Sequence, residues 1–339
     1  MKGIVCEKIE SFRLVDDLPE PVLSEGNALV SVRRVGICGT DLHAYKGNQP
    51  FFDYPRILGH ELSGIIERIE DNSEGLKAGD QVSIIPYLHC GTCVACRRGK
   101  TNCCTDMKVL GVHADGGMRE RISVPISHLL RADGLTLDEA AIVEPLAIGA
   151  HAVRRADLAP GDAVLVIGSG PIGLGVMAFA KQTGATVIAM DINDERLDFC
   201  RSWAQVDHTI NAQEADAKSK LAELTAGEFP VAVFDATGNA KSMTNAFELV
   251  AHGGKLIFVG LIKGDITFSD PDFHKRELTL MGSRNATKAD FYHVMDILGN
   301  YQLDIGRYIT HRSSFDGMID EFETWLKPES KVIKAIVEL

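Results

Sequence analysis

From Ala163 onward the chain alternates short apolar runs with amphipathic stretches. The order is AVLVIG, PIGLGVMAFAKQTG, TVIAMD, DERLDFCRSW, a short HTIN, a polar stretch over 213–224, VAVFDATG, KLIFVG and ELTLMGS. Apolar runs without polar alternation belong to strands covered on both faces, and intervening helices supply the crossovers that parallel pairing requires. Six such strands predict a doubly wound α/β parallel sheet over residues 149–285. Outside that window the texture changes. Residues 1–148 hold short β-rich stretches such as ALVSVRRVGI and GIIERIE, separated by turns and with few long helical patterns. After Asn285, KADFYHVMDIL and residues 316–326 read as helices, and VIKAIVEL reads as a closing strand. The tail, 286–339, is grouped here with 1–148, so that the doubly wound domain becomes an insertion in a β-rich one.

The turn after the first of these strands is Gly168-Ser169-Gly170-Pro171-Ile172-Gly173. Its first glycine permits a tight turn, its second lets a pyrophosphate approach the backbone, and its third allows close helix–strand packing. Pro171 is tolerated because the first helical turn has spare N–H groups, and those groups point at the phosphates. Asp191 ends the next strand, where a carboxylate accepts bonds from adenosine ribose hydroxyls. Its charge repels a 2′-phosphate, which predicts NAD over NADP. Arg196 is placed to stack on adenine or to pair along its helix, although a nearby arginine is also what a 2′-phosphate would need.

Composition narrows the class. A chain of 339 residues is long enough for two cores, and 45% hydrophobic with 24% charged residues suits a globular enzyme. The formal charge of −12 argues against nucleic acid or an anionic membrane as a partner. No signal-peptide pattern opens the chain, and no apolar run approaches the ~20 residues of a membrane span, so a cytoplasmic location is expected. Five of the eight cysteines fall between Cys90 and Cys104. Clustering of this kind favours metal binding over disulfides. Cys90, Cys93, Cys96 and Cys104 can close a tetrahedron around a structural zinc, with iron–sulfur ligation the rival reading. Cys103, next to Cys104, is left outside the set.

Two further segments, Gly36-Ile37-Cys38-Gly39-Thr40-Asp41-Leu42-His43 and Gly59-His60-Glu61, complete a set of four motifs. In that order they resemble the zinc-containing medium-chain alcohol dehydrogenases over essentially the whole chain. The resemblance implies a GroES-like fold for the β-rich domain and a second, catalytic zinc. It places Cys38 and His60 as ligands of that zinc, with Glu144 where many relatives carry a third ligand. Glu61 is the acidic neighbour that approaches the metal, and either carboxylate can alternate with water. Thr40 and His43 are implied as a proton relay. Thr237, Val259, Leu261, Ser283 and Arg284 become further cofactor contacts, from the resemblance and from their strand-end positions. A zinc with an open position acts as a Lewis acid on a hydroxyl, and nicotinamide accepts the hydride.

Glutamate at 144, instead of cysteine, resembles the polyol and threonine dehydrogenase branches. Residues 47–52, 268–275 and 281–287 resemble bacterial sugar-acid dehydrogenases. The expected substrate is therefore a small sugar acid or polyol, specifically L-galactonate oxidised at C5 to D-tagaturonate. Arg284, Asn285 and Arg119 are candidate carboxylate anchors. Sorbitol-type polyol oxidation and L-threonine 3-dehydrogenation are the alternatives, and a homodimer or homotetramer is expected from the family. A non-catalytic NAD-binding redox sensor would bind one zinc per chain and a zinc-free quinone reductase none, where the dehydrogenase binds two.

Overall fold

The computed structural model describes residues 1–49, 52–300 and 303–339. Of the stretch 47–52 singled out above, Pro50 and Phe51 therefore lie outside the described residues. The chain divides into two compact units, one of residues 1–144 with 287–339 and the other of residues 145–286.

The second unit holds six parallel strands. Across the sheet they run His208–Asn211, Thr186–Asp191, Ala163–Ile167, Ala232–Asp235, Lys255–Phe258, Thr279–Gly282. In chain order this is 3-2-1-4-5-6, the doubly wound arrangement expected from the apolar runs. The cause is visible in burial: Val164, Leu165, Val166, Val187, Ile188, Ala189, Val233 and Phe234 are fully buried, so each central strand needs cover on both faces. Helix Pro171–Gln182 supplies part of it through Leu174, Val176, Met177 and Ala180. The polar helix expected from 213 begins at Ala217 instead. Asn211 explains the delay, because its side chain accepts the Gln213 N–H at 2.9 Å and its carbonyl the Glu214 N–H at 3.1 Å, which makes a turn first.

The first unit is built on a seven-stranded sheet. Its order is Leu129–Arg131, Gln81–Ile84, Glu61–Ile69, Asn27–Ile37, Lys334–Glu338, Ile309–Ser314, with Arg121–Pro125 also pairing to Asn27–Ile37. The long central strand is antiparallel to both of its neighbours on the main path, Gly36 opposing Glu61 and Ala335 opposing Ile37. Antiparallel pairing brings the end of one strand beside the beginnings of the next. Cys38, just past the central strand, thus meets His60, Glu61 and Lys334 at one margin of the sheet. Glu144 comes from the 20-residue helix Leu137–Ala156, immediately before Pro145, which cannot donate a backbone hydrogen bond. Among the described residues, no helix is long and apolar enough to cross a membrane.

Candidate metal centres and dinucleotide turn

Cys38 precedes helix Gly39–Tyr45, and the carboxylate of Asp41 ties the turn together. Its Oδ2 accepts the Cys38 N–H at 2.9 Å and its Oδ1 accepts the Gly59 N–H at 3.3 Å. Asp41 Oδ1 also lies 3.6 Å from His60 Nδ1. At that distance the carboxylate faces the ring as a charge and makes no hydrogen bond to Nδ1, while the other ring nitrogen is left to bind a metal. Cys38, His60 and Glu61 each present a donor atom, all within 4.8 Å of one another.

Glu61 is fully buried, and both of its oxygens accept from Lys334 Nζ, at 2.6 and 2.8 Å. Lys334 is itself buried and donates at 3.1 Å to the Ile37 carbonyl. The carboxylate lies over Gly36, where a Cβ would collide with Glu61 Oε2; no other residue fits beneath it. Glu144 lies beside this trio but outside it. Its Oε1 accepts from the Tyr87 hydroxyl, while its Oε2 is buried without a hydrogen-bond partner among the described residues.

The electrostatics follow from this crowding. Burial works against a charged His60, yet Asp41, Cys38 and Glu144 raise its pKa well above the ordinary histidine range. Burial raises Asp41, and burial together with Glu61 pushes Glu144 up to about 7. Burial opposes a charged Lys334, but Glu61 holds it protonated. Asp41, Glu61 and Glu144 are thus three buried carboxylates beside a thiol, with Lys334 the fixed cation among these groups. Isolated buried charges are costly, and a divalent cation among them removes most of that cost. The donor set of one thiol, one imidazole and carboxylates, together with the unpartnered Glu144 Oε2, fits zinc.

The second cluster is separate. Cys90, Cys93, Cys96 and Cys104 bring their sulfurs within 4.8 Å, with Cys93–Cys96 and Cys90–Cys104 each at 3.5 Å. Backbone N–H groups point at the sulfurs: Cys93 N to Cys90 at 3.3 Å, Cys96 N to Cys93 at 3.5 Å, Asp106 N to Cys104 at 3.4 Å. Such donors stabilise thiolates, and the one from Cys96 leads those that bring Cys93 down to about 5. Four cysteines and no other donor fit a closed structural zinc site. Cys103 stays exposed and outside the set.

In the other unit, Gly168 adopts φ +96°, and a Cβ at Gly173 would collide with the Gly168 carbonyl, so both positions require glycine. Asp191 sits at its strand end, with Oδ2 accepting the Ser169 N–H at 2.6 Å and Oδ1 the Asn193 N–H at 3.0 Å. Gly170, Pro171 and Ile172 open the following helix. Thr237 packs its methyl toward Gly168 and donates its hydroxyl to Asp235 Oδ1 at 2.6 Å. Val259 follows the fifth strand, and Leu261 just beyond it is 70% exposed. Ser283 is buried with its hydroxyl unpartnered among the described residues, and Arg196 and Arg284 are exposed.

Thr40 and His43 share one helix face, three residues apart, with His43 exposed. Arg119, a candidate substrate anchor, is committed elsewhere: its guanidinium donates to the carbonyls of Gly116 at 3.0 Å and Asp115 at 3.3 Å. Asp41, Tyr87 and Lys334 were not singled out from the sequence. Asp41 had a local signal, an acid three residues after a helix cap. Tyr87 and Lys334 had none.

Comparison with known proteins places these sites in context. Residues 171–300 match the zinc-binding dehydrogenase family, and residues 24–134 match the alcohol dehydrogenase GroES-like domain. The chain is 44% identical to L-galactonate-5-dehydrogenase of Escherichia coli K12 over 94% of its own length and 93% of the relative's. It is 31% identical to sorbitol dehydrogenase of Bacillus subtilis, over 99% and 97% of the two chains. The crystal structure of the alcohol dehydrogenase RspB from E. coli CFT073, complexed with NADH, superposes with a TM-score of 0.92 at 30% identity, covering 100% and 99%.

Proposed function

Since this chain belongs to the zinc-dependent alcohol dehydrogenases, in the company of polyol and sugar-acid dehydrogenases, we propose that it oxidises the C5 hydroxyl of L-galactonate to the ketone of D-tagaturonate with NAD as acceptor. The observation that carries the substrate is the 44% identity, sustained over almost all of both chains, to an enzyme of that name. Glutamate rather than cysteine at 144 agrees with it. Sorbitol-type polyol oxidation is the second reading, favoured by the relative from B. subtilis.

Zinc bound by the cluster would supply Lewis acidity at the reacting hydroxyl, and nicotinamide would take the hydride. Cys38 and His60 would hold that metal, joined by Glu61 or Glu144, with the Asp41 carboxylate facing the His60 ring from behind. The hydroxyl proton passes to Thr40 and leaves through His43, an exposed imidazole that can hand it to water. In the other unit the 168–173 turn, Asp191, Arg196, Thr237, Val259, Leu261, Ser283 and Arg284 would hold the cofactor. Arg284 and Asn285 would anchor the substrate carboxylate, and Arg fits a carboxylate in two-point fashion.

A panel of hexonates, pentitols, hexitols, threonine and simple alcohols, followed by NADH formation, tests the reading. L-Galactonate is expected to give the highest kcat/KM. Preference for neutral polyols over every aldonate would reject the carboxylate anchor, and preference for threonine would reject the sugar reading.

Cofactor choice gives a separate prediction. Asp191→Ala removes the charge that a 2′-phosphate would meet, and the kcat/KM ratio of NAD to NADP is expected to fall by about tenfold to a hundredfold, the size of one lost charge-assisted interaction of ~1.5–3 kcal/mol. An unchanged ratio would show that Asp191 does not read the ribose.

A further inference from the structure

Two carboxylates compete for one place beside Cys38 and His60, and their hydrogen bonding separates them. By distance alone Glu61 groups with Cys38 and His60 within 4.8 Å, and Glu144 does not. Bonding reverses that order. Both oxygens of Glu61 are occupied by Lys334, so bringing Glu61 to a metal costs a buried ion pair. Glu144 uses only Oε1, on the Tyr87 hydroxyl, and its buried Oε2 has no partner among the described residues. A buried polar atom left unsatisfied is expensive unless it has a use.

The group holding Glu144 is itself firmly held. Tyr87 pairs with Val109 in a two-stranded ribbon, so its backbone is fixed. Its carbonyl lies 3.1 Å from His128 Nε2, within hydrogen-bond distance of that ring. Its ring meets the fully buried ring of Phe291 edge-on, at 6.2 Å between centroids. Two restraints on the backbone and one on the ring aim the hydroxyl at a single oxygen.

We infer that Tyr87 is a positioning residue for the metal. It fixes the rotamer of Glu144 so that Oε2 is the oxygen offered alongside Cys38 and His60, while Lys334 retains Glu61. This deepens the reading of Cys38 and His60 as ligands and rests on it. Tyr87 touches neither substrate nor cofactor in this role; it acts through Glu144.

The test is zinc release to a chelating dye from the purified full-length protein, with the visible spectrum of the cobalt-substituted protein as a second readout. Tyr87→Phe keeps the ring and removes only the hydroxyl. It is expected to speed release from the Cys38–His60 site by about tenfold to a hundredfold, the usual cost of losing an outer-sphere partner, and to shift the cobalt spectrum. Release from the four-cysteine site is expected to stay unchanged. Glu144→Asp, one methylene shorter, withdraws the carboxylate from Tyr87 and is expected to show the same acceleration, with Tyr87→Phe adding nothing further in that background. In a Glu61→Gln background the full effect of Tyr87→Phe is expected to remain. Wild-type release and an unshifted spectrum in Tyr87→Phe overturn the inference, as does an undiminished effect on top of Glu144→Asp. Cys38→Ser separates the two levels of the argument. If it leaves both zincs bound, the ligand reading itself fails; if it removes one zinc while Tyr87→Phe is silent, only the role of Tyr87 falls.

Discussion

Replacing Cys38 with serine, or His60 with alanine, is expected to reduce bound zinc from two ions per chain, one for each cluster, to one, and to lower kcat/KM by about a thousandfold or more. The magnitude follows from what the metal supplies. Lewis-acid stabilisation of a developing negative charge is worth several kcal/mol, and each ~1.4 kcal/mol is a factor of ten in rate. Serine in place of Cys38 cannot supply a thiolate. Alanine in place of His60 removes the imidazole and leaves Asp41, already buried, without the group it faces at 3.6 Å. NADH binding, followed by fluorescence, is expected to persist, because the glycine turn and Asp191 belong to the other compact unit. Metal analysis and an NADH titration on the same preparation check both halves. A variant that keeps two zincs would contradict the ligand assignment.

Lys334→Met is expected to destabilise the first unit by about 3–5 kcal/mol, the range for removing one partner of a buried ion pair. Lys334 and Glu61 are both buried, and the lysine meets both carboxylate oxygens. With methionine present and the metal removed, Glu61 must either carry an unanswered charge or take up a proton. Glu61→Gln in the same chain removes that charge and is expected to recover most of the loss, since neutral replacements of buried pairs are often tolerated. Urea unfolding of the single and double variants measures this, with hydrogen exchange along Lys334–Glu338 locating the effect. A single variant that costs less than about 1 kcal/mol would mean that the pair is not a structural necessity.

The doubly wound sheet was legible because its strands, buried on both faces, appear as unbroken apolar runs. Gly168 and Gly173 announced their turn because backbone geometry there admits no Cβ. The cysteine quartet that the fold gathers was legible because its members lie within fifteen positions of one another. Lys334 was hidden for the opposite reason. In VIKAIVEL it reads as the solvent-facing residue of an alternating strand, and its partner Glu61 lies 273 positions away. Periodicity reports which face a side chain occupies, not whether a distant charge awaits it there. The helix Leu137–Ala156 escaped singling out because Pro145 falls in its interior. Tyr87 carried no signal in the sequence, because only the fold brings Glu144, 57 positions away, to its hydroxyl.

The antiparallel margin that gathers Cys38, His60, Glu61 and Lys334 also sets a timetable. During synthesis the first three emerge together, and Lys334 follows 273 residues after Glu61. At ~5–20 residues per second the interval is on the order of 10–50 s. Throughout it Glu61 has no ammonium to hold it, and the central strand Asn27–Ile37 lacks its neighbour from the tail. A nascent chain therefore exposes a thiol, an imidazole and an unrestrained carboxylate well before the finished site exists, and any metal captured in that interval meets a different set of donors from the one in the folded protein.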